Sequence, residues 1–155
     1  MKPITPHDGL VFEKRFFGKE ASFDPKNLAA FKRGDGYESF RFCLDEVRRE
    51  QESVGWNPAL PSTQISTYWF EQVKANLGKR GDKLRLYCAI GSRLDFFHGI
   101  DGFFELDGQI FTFDIKAGRN SRGKESVDLV IRKQANLYKF FRQISRDIAD
   151  KLKSS

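Results

Sequence analysis

An Asp-Gly pair at positions 107 and 108 separates two runs with strand-like patterning, "GIDGFFEL" and "QIFTFDIK". Such a pair between two β-patterned runs predicts a two-residue hairpin, because a type I′ turn requires positive φ at both central positions. With this turn, Leu106 pairs with Gln109 and Asp101 lies opposite Asp114. A single dipeptide therefore predicts the register of two strands.

The same register sorts the side chains of the hairpin, since they alternate between the two faces of a strand. One face presents Asp101, Asp114 and Lys116, with Lys116 opposite Gly99. The other face is predicted to pack into the core and carries Ile100, Phe104, Leu106, Phe111, Phe113 and Ile115.

Hydrophobic periodicity assigns the remaining elements. Helical spacing of apolar residues predicts helices over about 25–32, 37–52 and 63–77 and from about 134 to the end, and period-two spacing predicts strands over 83–90 and 126–132. The sequence thus predicts one α/β domain over 1–155, with a small mixed sheet of about four strands flanked by helices. Residues 1–60 are expected to form a helical N-terminal elaboration packed on this core.

Positive charge is concentrated after the hairpin. Residues 116–155 carry 11 basic and 4 acidic side chains, whereas residues 1–115 have a net charge of −1. This asymmetry favours an anionic partner, nucleic acid first, although a solvated basic helix would explain it equally well. The candidate contacts are Arg119, Arg122 and Lys124 in a loop, followed by Arg132, Lys139, Arg142 and Arg146.

Several classes of protein do not fit the sequence. No apolar run reaches the roughly 20 residues of a membrane helix, and the first residues lack the apolar stretch of a secretion signal. We therefore expect a cytoplasmic protein without a membrane partner. Cys43 and Cys88 form no Cys-x-x-Cys pair and only two histidines are present, so a Cys/His zinc site is not predicted.

Two facing carboxylates repel each other, and a divalent cation between them removes the conflict. Mg²⁺ prefers oxygen ligands and commonly takes one or two carboxylates together with waters and phosphate oxygens. Lys116 would then hold a nucleophilic water or offset phosphate charge. The alternative is an ordinary surface ion pair, with Asp101 reaching Lys116 on the diagonal. The opposed acids, the glycine facing Lys116 and the basic segment that follows favour the metal site.

These residues resemble the motif of the PD-(D/E)xK nuclease superfamily, an acid on one strand followed by (D/E)-x-K on the next. Here the motif is Asp101 and then Asp114-Ile115-Lys116, with Ile100 where the family often has Pro. The resemblance covers about residues 63–116 and implies a restriction-endonuclease-like core. Beyond Lys116 the family has a helix, whereas this sequence predicts a loop and then a strand.

The resemblance also implies roles for individual residues. Asp101, Asp114 and the carbonyl of Ile115 would bind Mg²⁺ or Mn²⁺, and Lys116 would activate the attacking water. Glu71, on the helix before the first strand, is a further catalytic candidate and equally a solvated residue. The basic residues named above would contact phosphates.

The implied activity is metal-dependent hydrolysis of phosphodiester bonds in DNA, by an endonuclease or an exonuclease. A chain of this length has little room for a specificity domain, so cleavage is expected to depend on the structure or ends of double-stranded or branched DNA. Relatives that cut both strands are frequently homodimers. Two alternatives stay open: a non-catalytic nucleic-acid-binding module on the same fold, and a small interaction protein.

Overall fold

The structure, a computed structural model, describes residues 15–18, 21–23, 28–116 and 127–154. Residues 15–17 are helical. The α-helices that follow are α1 Leu28–Lys32, α2 Phe40–Glu50, α3 Gln64–Leu77, α4 Arg93–His98 and α5 Leu137–Lys153. The strands are β1 Arg85–Cys88, β2 Gly102–Leu106, β3 Gln109–Lys116 and β4 Leu129–Arg132. Short 3-10 helices follow α2 and α3, at Gln51–Ser53 and Gly78–Lys83.

The four strands form one sheet in the order β1-β2-β3-β4. The first three are antiparallel, and β4 runs parallel to β3. This confirms the prediction of a mixed α/β protein with a four-stranded mixed sheet flanked by helices. The hairpin register is also as predicted, from Leu106 opposite Gln109 to Gly102 opposite Phe113. Its turn has φ of 48° at Asp107 and 86° at Gly108.

Helices α3 and α5 cover one face of the sheet with an aromatic core. Trp69 of α3 lies at its centre and is fully buried. Its ring stacks on Phe141 of α5 at 4.5 Å and meets Phe104 and Phe113 edge-on at 4.7 and 4.8 Å. Aromatic rings that bury this much surface contribute strongly to stability. The predicted core face of the hairpin is therefore anchored here.

Helices α2 and α4 cover the second face. Val47 of α2 and Leu94 of α4 pack with Phe103 in a separate apolar cluster. Ile100 belongs to this cluster, so its assignment to the first face is wrong. The reason is Gly99, whose left-handed conformation (φ 69°) ends α4 and interrupts the strand alternation just before β2. Both faces of the sheet are covered, which buries the carboxylates of the hairpin instead of displaying them.

Capping side chains set the helix boundaries. Ser39, Thr63 and Asn136 each accept a hydrogen bond from the backbone N–H three residues later, at the start of α2, α3 and α5. Gly78 ends α3 with a φ of 60°. Helix α2 thus begins at Phe40, later than predicted, and the predicted helix over 25–32 begins outside the described residues.

The described part of the first 60 residues is mostly helical and packs on the sheet through α2 and through Phe16 and Phe17. In the part of the chain that the structure describes, no helix is both long and apolar enough to cross a membrane.

Candidate active site

Asp101 lies at the start of β2 and connects three segments of the sheet. Its N–H donates to the carbonyl of Phe113 at 3.0 Å, and its own carbonyl accepts from the N–H of Ala89 at 2.8 Å. Its carboxylate oxygen Oδ2 accepts from the N–H of Ile115 at 2.7 Å. The residue is 1% exposed. The carboxylate is therefore fixed against the backbone of β3 between Asp114 and Lys116.

Asp114 and Lys116 lie near the end of β3, where it runs beside β4. Alternation along the strand puts both side chains on the second face of the sheet. The Lys116 Nζ lies 3.1 Å from Asp114 Oδ2. Asp114 is 3% exposed, whereas the side chain of Lys116 is 29% exposed. Asp101, Asp114 and Lys116 thus lie together at one end of the neighbouring strands β2 and β3.

One detail of the predicted register is different. The regular β2–β3 ladder ends at Gly102 opposite Phe113. Asp101 comes one residue before the ladder, and Gly99 belongs to the end of α4 instead of facing Lys116. Lys116 is paired with Arg132 of β4. The space expected beside Lys116 is therefore not created by Gly99.

Helix α4 brings a third carboxylate, Asp95, to the same place. Its Oδ2 accepts from the N–H of Gly91 at 2.9 Å. Asp95 is also hydrogen-bonded to the side chain of Asp101, which requires a proton on one of the two carboxyl groups. Burial raises the pKa of Asp95, the bonds to Gly91 and Asp101 lower it, and the charge of Asp114 raises it. The net shift of the Asp95 pKa is upward, and burial is its largest cause.

The apolar spacing around Asp95 does not predict this arrangement. Helix α4 is only six residues long, too short to show a hydrophobic period. A local signal does exist, because Ser92 accepts a hydrogen bond from the N–H of Asp95 at 3.4 Å. Serine followed three residues later by an acid is the pattern of a helix N-terminus. That signal predicts a helix at 93–98, although not its contact with Asp101.

Two acids of the cluster are almost completely buried, Asp101 and Asp114, and Lys116 forms an ion pair with Asp114. Buried carboxylates require a positive partner or a proton. A hydrogen bond between Asp95 and Asp101 supplies a proton to this cluster, and a bound cation would be a further positive partner.

The oxygen donors present fit a hard divalent cation. Mg²⁺ usually binds protein through one or two carboxylates and completes its shell with waters and phosphate oxygens. Over the described ranges, no group of three or more His, Cys, Asp or Glu side chains is arranged to hold a metal ion. Asp101 and Asp114 would therefore supply only part of the ligand shell of the cation. Waters and substrate oxygens would supply the rest. Ile115, which lies between Asp114 and Lys116 in the sequence, has its N–H engaged by Asp101.

Glu71 is not brought to this cluster. Helix α3 packs through Trp69 and Val73 against the first face of the sheet, opposite to the carboxylates. Glu71 is on the exposed side of that helix. Of its two interpretations, the geometry agrees with the solvated one.

The candidate nucleic-acid contacts divide into three groups. Arg132 is directly opposite Lys116 in the sheet, at the same edge as the carboxylates. The exposed side of α5, on the far side of the first face, carries Lys139, Arg142 and Arg146. The loop candidates Arg119, Arg122 and Lys124 lie outside the described residues. Among the described candidates, only Arg132 lies next to the acidic cluster.

Comparison with known proteins gives no relative from which a function could be transferred. No family model matches the chain, and neither the curated proteins nor the solved structures include a match. The function must therefore be inferred from the cluster itself.

Proposed function

We propose that this chain is a metal-dependent nuclease that hydrolyses phosphodiester bonds in DNA, built on a restriction-endonuclease-like core. The observation that carries the proposal is the cluster of Asp101, Asp114 and Lys116 at one end of strands β2 and β3, with two nearly buried carboxylates and one partly exposed lysine side chain. The two neighbouring carboxylates support a role for Mg²⁺ or Mn²⁺, because these cations prefer oxygen ligands. The basic segment after β3 supports a nucleic acid as the substrate.

Each residue has a distinct role in this proposal. Asp101 and Asp114 would hold the cation, and Asp101 is kept in position by the N–H of Ile115. Asp114 also orients the ammonium of Lys116, which lies 3.1 Å away. The partly exposed Lys116 would align an attacking water by donating a hydrogen bond to its oxygen. A bound divalent cation would lower the pKa of such a water and stabilise the charge that develops on phosphate.

Hydrolysis forms a bond between the water oxygen and phosphorus and breaks the bond to the leaving sugar oxygen, which gains a proton. The ammonium group of Lys116 offsets negative charge on the phosphate during this exchange. Asp95 supports the site indirectly, because its hydrogen bond to Asp101 restrains that carboxylate. Cleavage directed by DNA structure or by strand ends is the form of activity we propose, since the chain has little room for a domain that reads base sequence.

The test is a cleavage assay with labelled single-stranded, duplex and branched DNA in MgCl₂, MnCl₂ and EDTA. Asp114→Asn and Lys116→Ala are each expected to reduce cleavage by about 10²- to 10⁴-fold, the range for removing a positioned acid–base or charge-stabilising group. Glu71→Gln is the matched control, because it neutralises an exposed carboxylate on the other side of the sheet. It should cleave at the wild-type rate.

Cleavage at the wild-type rate by both site variants would refute the proposal. DNA binding that survives EDTA and the Asp101→Asn change, without cleavage on any substrate, would identify the non-catalytic binding module instead. Absence of nucleic-acid binding at low salt would favour the interaction protein. Circular dichroism and thermal melting of each variant separate loss of activity from loss of fold.

A further inference from the structure

A cavity lies near the ends of β3 and β4, between the first turns of α3 and α5. It has a volume of about 180 Å³. Its wall combines apolar side chains, two cations, an amide and an aromatic ring: Ile65, Leu137, Arg15, Lys133, Gln134 and Tyr138. We refer to these six residues as the edge cavity.

The charge of the edge cavity is positive. Arg15 and Lys133 line it, and none of its described lining residues is acidic. Among residues that the structure describes, neither cation has an ion-pair or hydrogen-bond partner for its side chain. Both residues are exposed. Two cations without a carboxylate nearby attract an anion such as phosphate.

The aromatic side of the edge cavity is Tyr138, which is 42% exposed. Tyr68 of α3 meets its ring edge-on, with ring centres 4.9 Å apart. This contact restrains the orientation of the ring while much of its surface stays open. An exposed and restrained aromatic ring is a surface on which a nucleic-acid base stacks.

Position links the edge cavity to the proposed active site. The N–H of Lys133 donates to the carbonyl of Lys116 at 3.0 Å. The carboxylates lie on one face of the sheet and the edge cavity lies on the other, and the ends of β3 and β4 form the boundary between them. A strand of nucleic acid that crosses this edge would touch both features.

The size of the edge cavity restricts its ligand. Pockets for whole small molecules and cofactors usually measure about 300 to 1,000 Å³, so a cavity of about 180 Å³ accepts only part of a larger ligand. A base and its adjoining phosphate, belonging to a longer strand, match this size, the positive charge and the aromatic wall together.

We propose that the edge cavity is a nucleotide subsite that binds one unpaired nucleotide of the substrate strand. Arg15 and Lys133 bind the phosphate, and the base stacks on Tyr138. The biological meaning of this assignment rests on the proposed function. In a nuclease, such a subsite would make single-stranded or frayed DNA the preferred substrate. It can nevertheless be tested by binding alone, without cleavage.

The experiment measures fluorescence anisotropy of a short labelled single-stranded DNA with the full chain in EDTA, over a series of salt concentrations. Removing one cation that binds a phosphate of a single strand reduces the slope of log affinity against log salt by about 0.7. We expect this reduction in Lys133→Ala and in Arg15→Ala. Lys79→Ala is the matched control, since it removes one exposed positive charge after α3, outside the edge cavity, and should keep the wild-type slope.

Stacking is tested with the aromatic residue. Tyr138→Ala should weaken binding by about 5- to 100-fold without changing the salt slope, and Tyr138→Phe should restore the affinity. On a strand of abasic sites, Tyr138→Ala should bind as well as the wild type. This arm separates recognition of the base from recognition of the phosphate.

Three results would overturn the subsite: no binding of single strands by the wild type, cation variants that behave like Lys79→Ala, or an effect of Tyr138→Ala that is equal on normal and abasic strands. Failure of the proposed function is recognised separately. If the binding pattern holds and no DNA is cleaved in MgCl₂ or MnCl₂, the subsite stands and the nuclease activity does not.

Discussion

Asp101 has two roles that substitution can separate, one in the fold and one at the proposed metal site. Its Oδ2 accepts the N–H of Ile115 at 2.7 Å in a place almost without solvent access. Asp101→Asn keeps an oxygen acceptor and removes the charge, whereas Asp101→Ala removes both. The difference in stability between the two variants therefore isolates the hydrogen bond to Ile115.

The size of this difference follows from the burial of the N–H group. Leaving a buried donor without a partner costs about 1 to 3 kcal/mol. For a chain of this length each kcal/mol shifts the melting temperature by about 2 to 4 °C. In EDTA, Asp101→Ala should therefore melt about 2 to 12 °C below Asp101→Asn, as measured by calorimetry or by circular dichroism at about 222 nm.

The second role becomes measurable when metal is added. A ligand present at about ten times its Kd stabilises the folded state by about 1.4 kcal/mol, which corresponds to a rise in melting temperature of about 3 to 6 °C. The wild type should show this rise with MgCl₂ or MnCl₂, and Asp101→Asn should not. Equal melting of the Asn and Ala variants would refute the structural role, and an undiminished metal response of Asp101→Asn would refute the metal site.

Two further predictions concern positions outside the proposed metal ligands. Gly102→Ala should lower the free energy of unfolding by about 1 to 3 kcal/mol through overpacking. A Cβ at position 102 would lie 2.6 Å from the Phe113 ring and 2.8 Å from the Tyr87 carbonyl oxygen. An unchanged denaturant midpoint would contradict this prediction. Burial raises the pKa of Cys43 to about 11, so the native thiol should resist iodoacetamide at about pH 9 while the urea-unfolded thiol reacts. As the pH rises, the thiol of the unfolded protein loses its proton before the native thiol does. The contribution of Cys43 to stability should therefore fall as the pH rises from about 9 to 11. Equal labelling rates in the native and unfolded protein would count against the burial of Cys43.

The hairpin was predictable because the Asp-Gly turn and the alternation of apolar side chains indicate the same strand register. Asp107 and Gly108 adopt the positive φ values that the turn requires, and the apolar face from Phe104 to Ile115 packs as predicted. The register that brings Asp101 near Asp114 follows from these two facts alone. Long helices with a clear period, such as α3 and α5, were predictable for the same reason.

The burial of the acids was not predictable from local patterns. Alternation shows which side chains share a face, but not whether that face is covered. Helices α2 and α4 cover it through contacts between residues distant in the sequence, such as Val47 with Phe103. The parallel direction of β4 depends on the connection after β3 and has no signature within the strand itself. Asp95 reaches Asp101 from α4, one of the two covering helices.

The number of carboxyl groups in the cluster favours the proposed ligand-binding role over a purely structural one. A single carboxylate would suffice to pair with Lys116, and an asparagine at position 101 could accept the N–H of Ile115 equally well. Neither structural requirement explains three carboxyl groups held together with a shared proton. Charged groups retained where neutral ones would satisfy the fold are typical of sites that bind ions or carry out chemistry. If Asp95→Asn and Asp101→Asn stabilise the metal-free protein, the acids are present for a ligand and not for the fold.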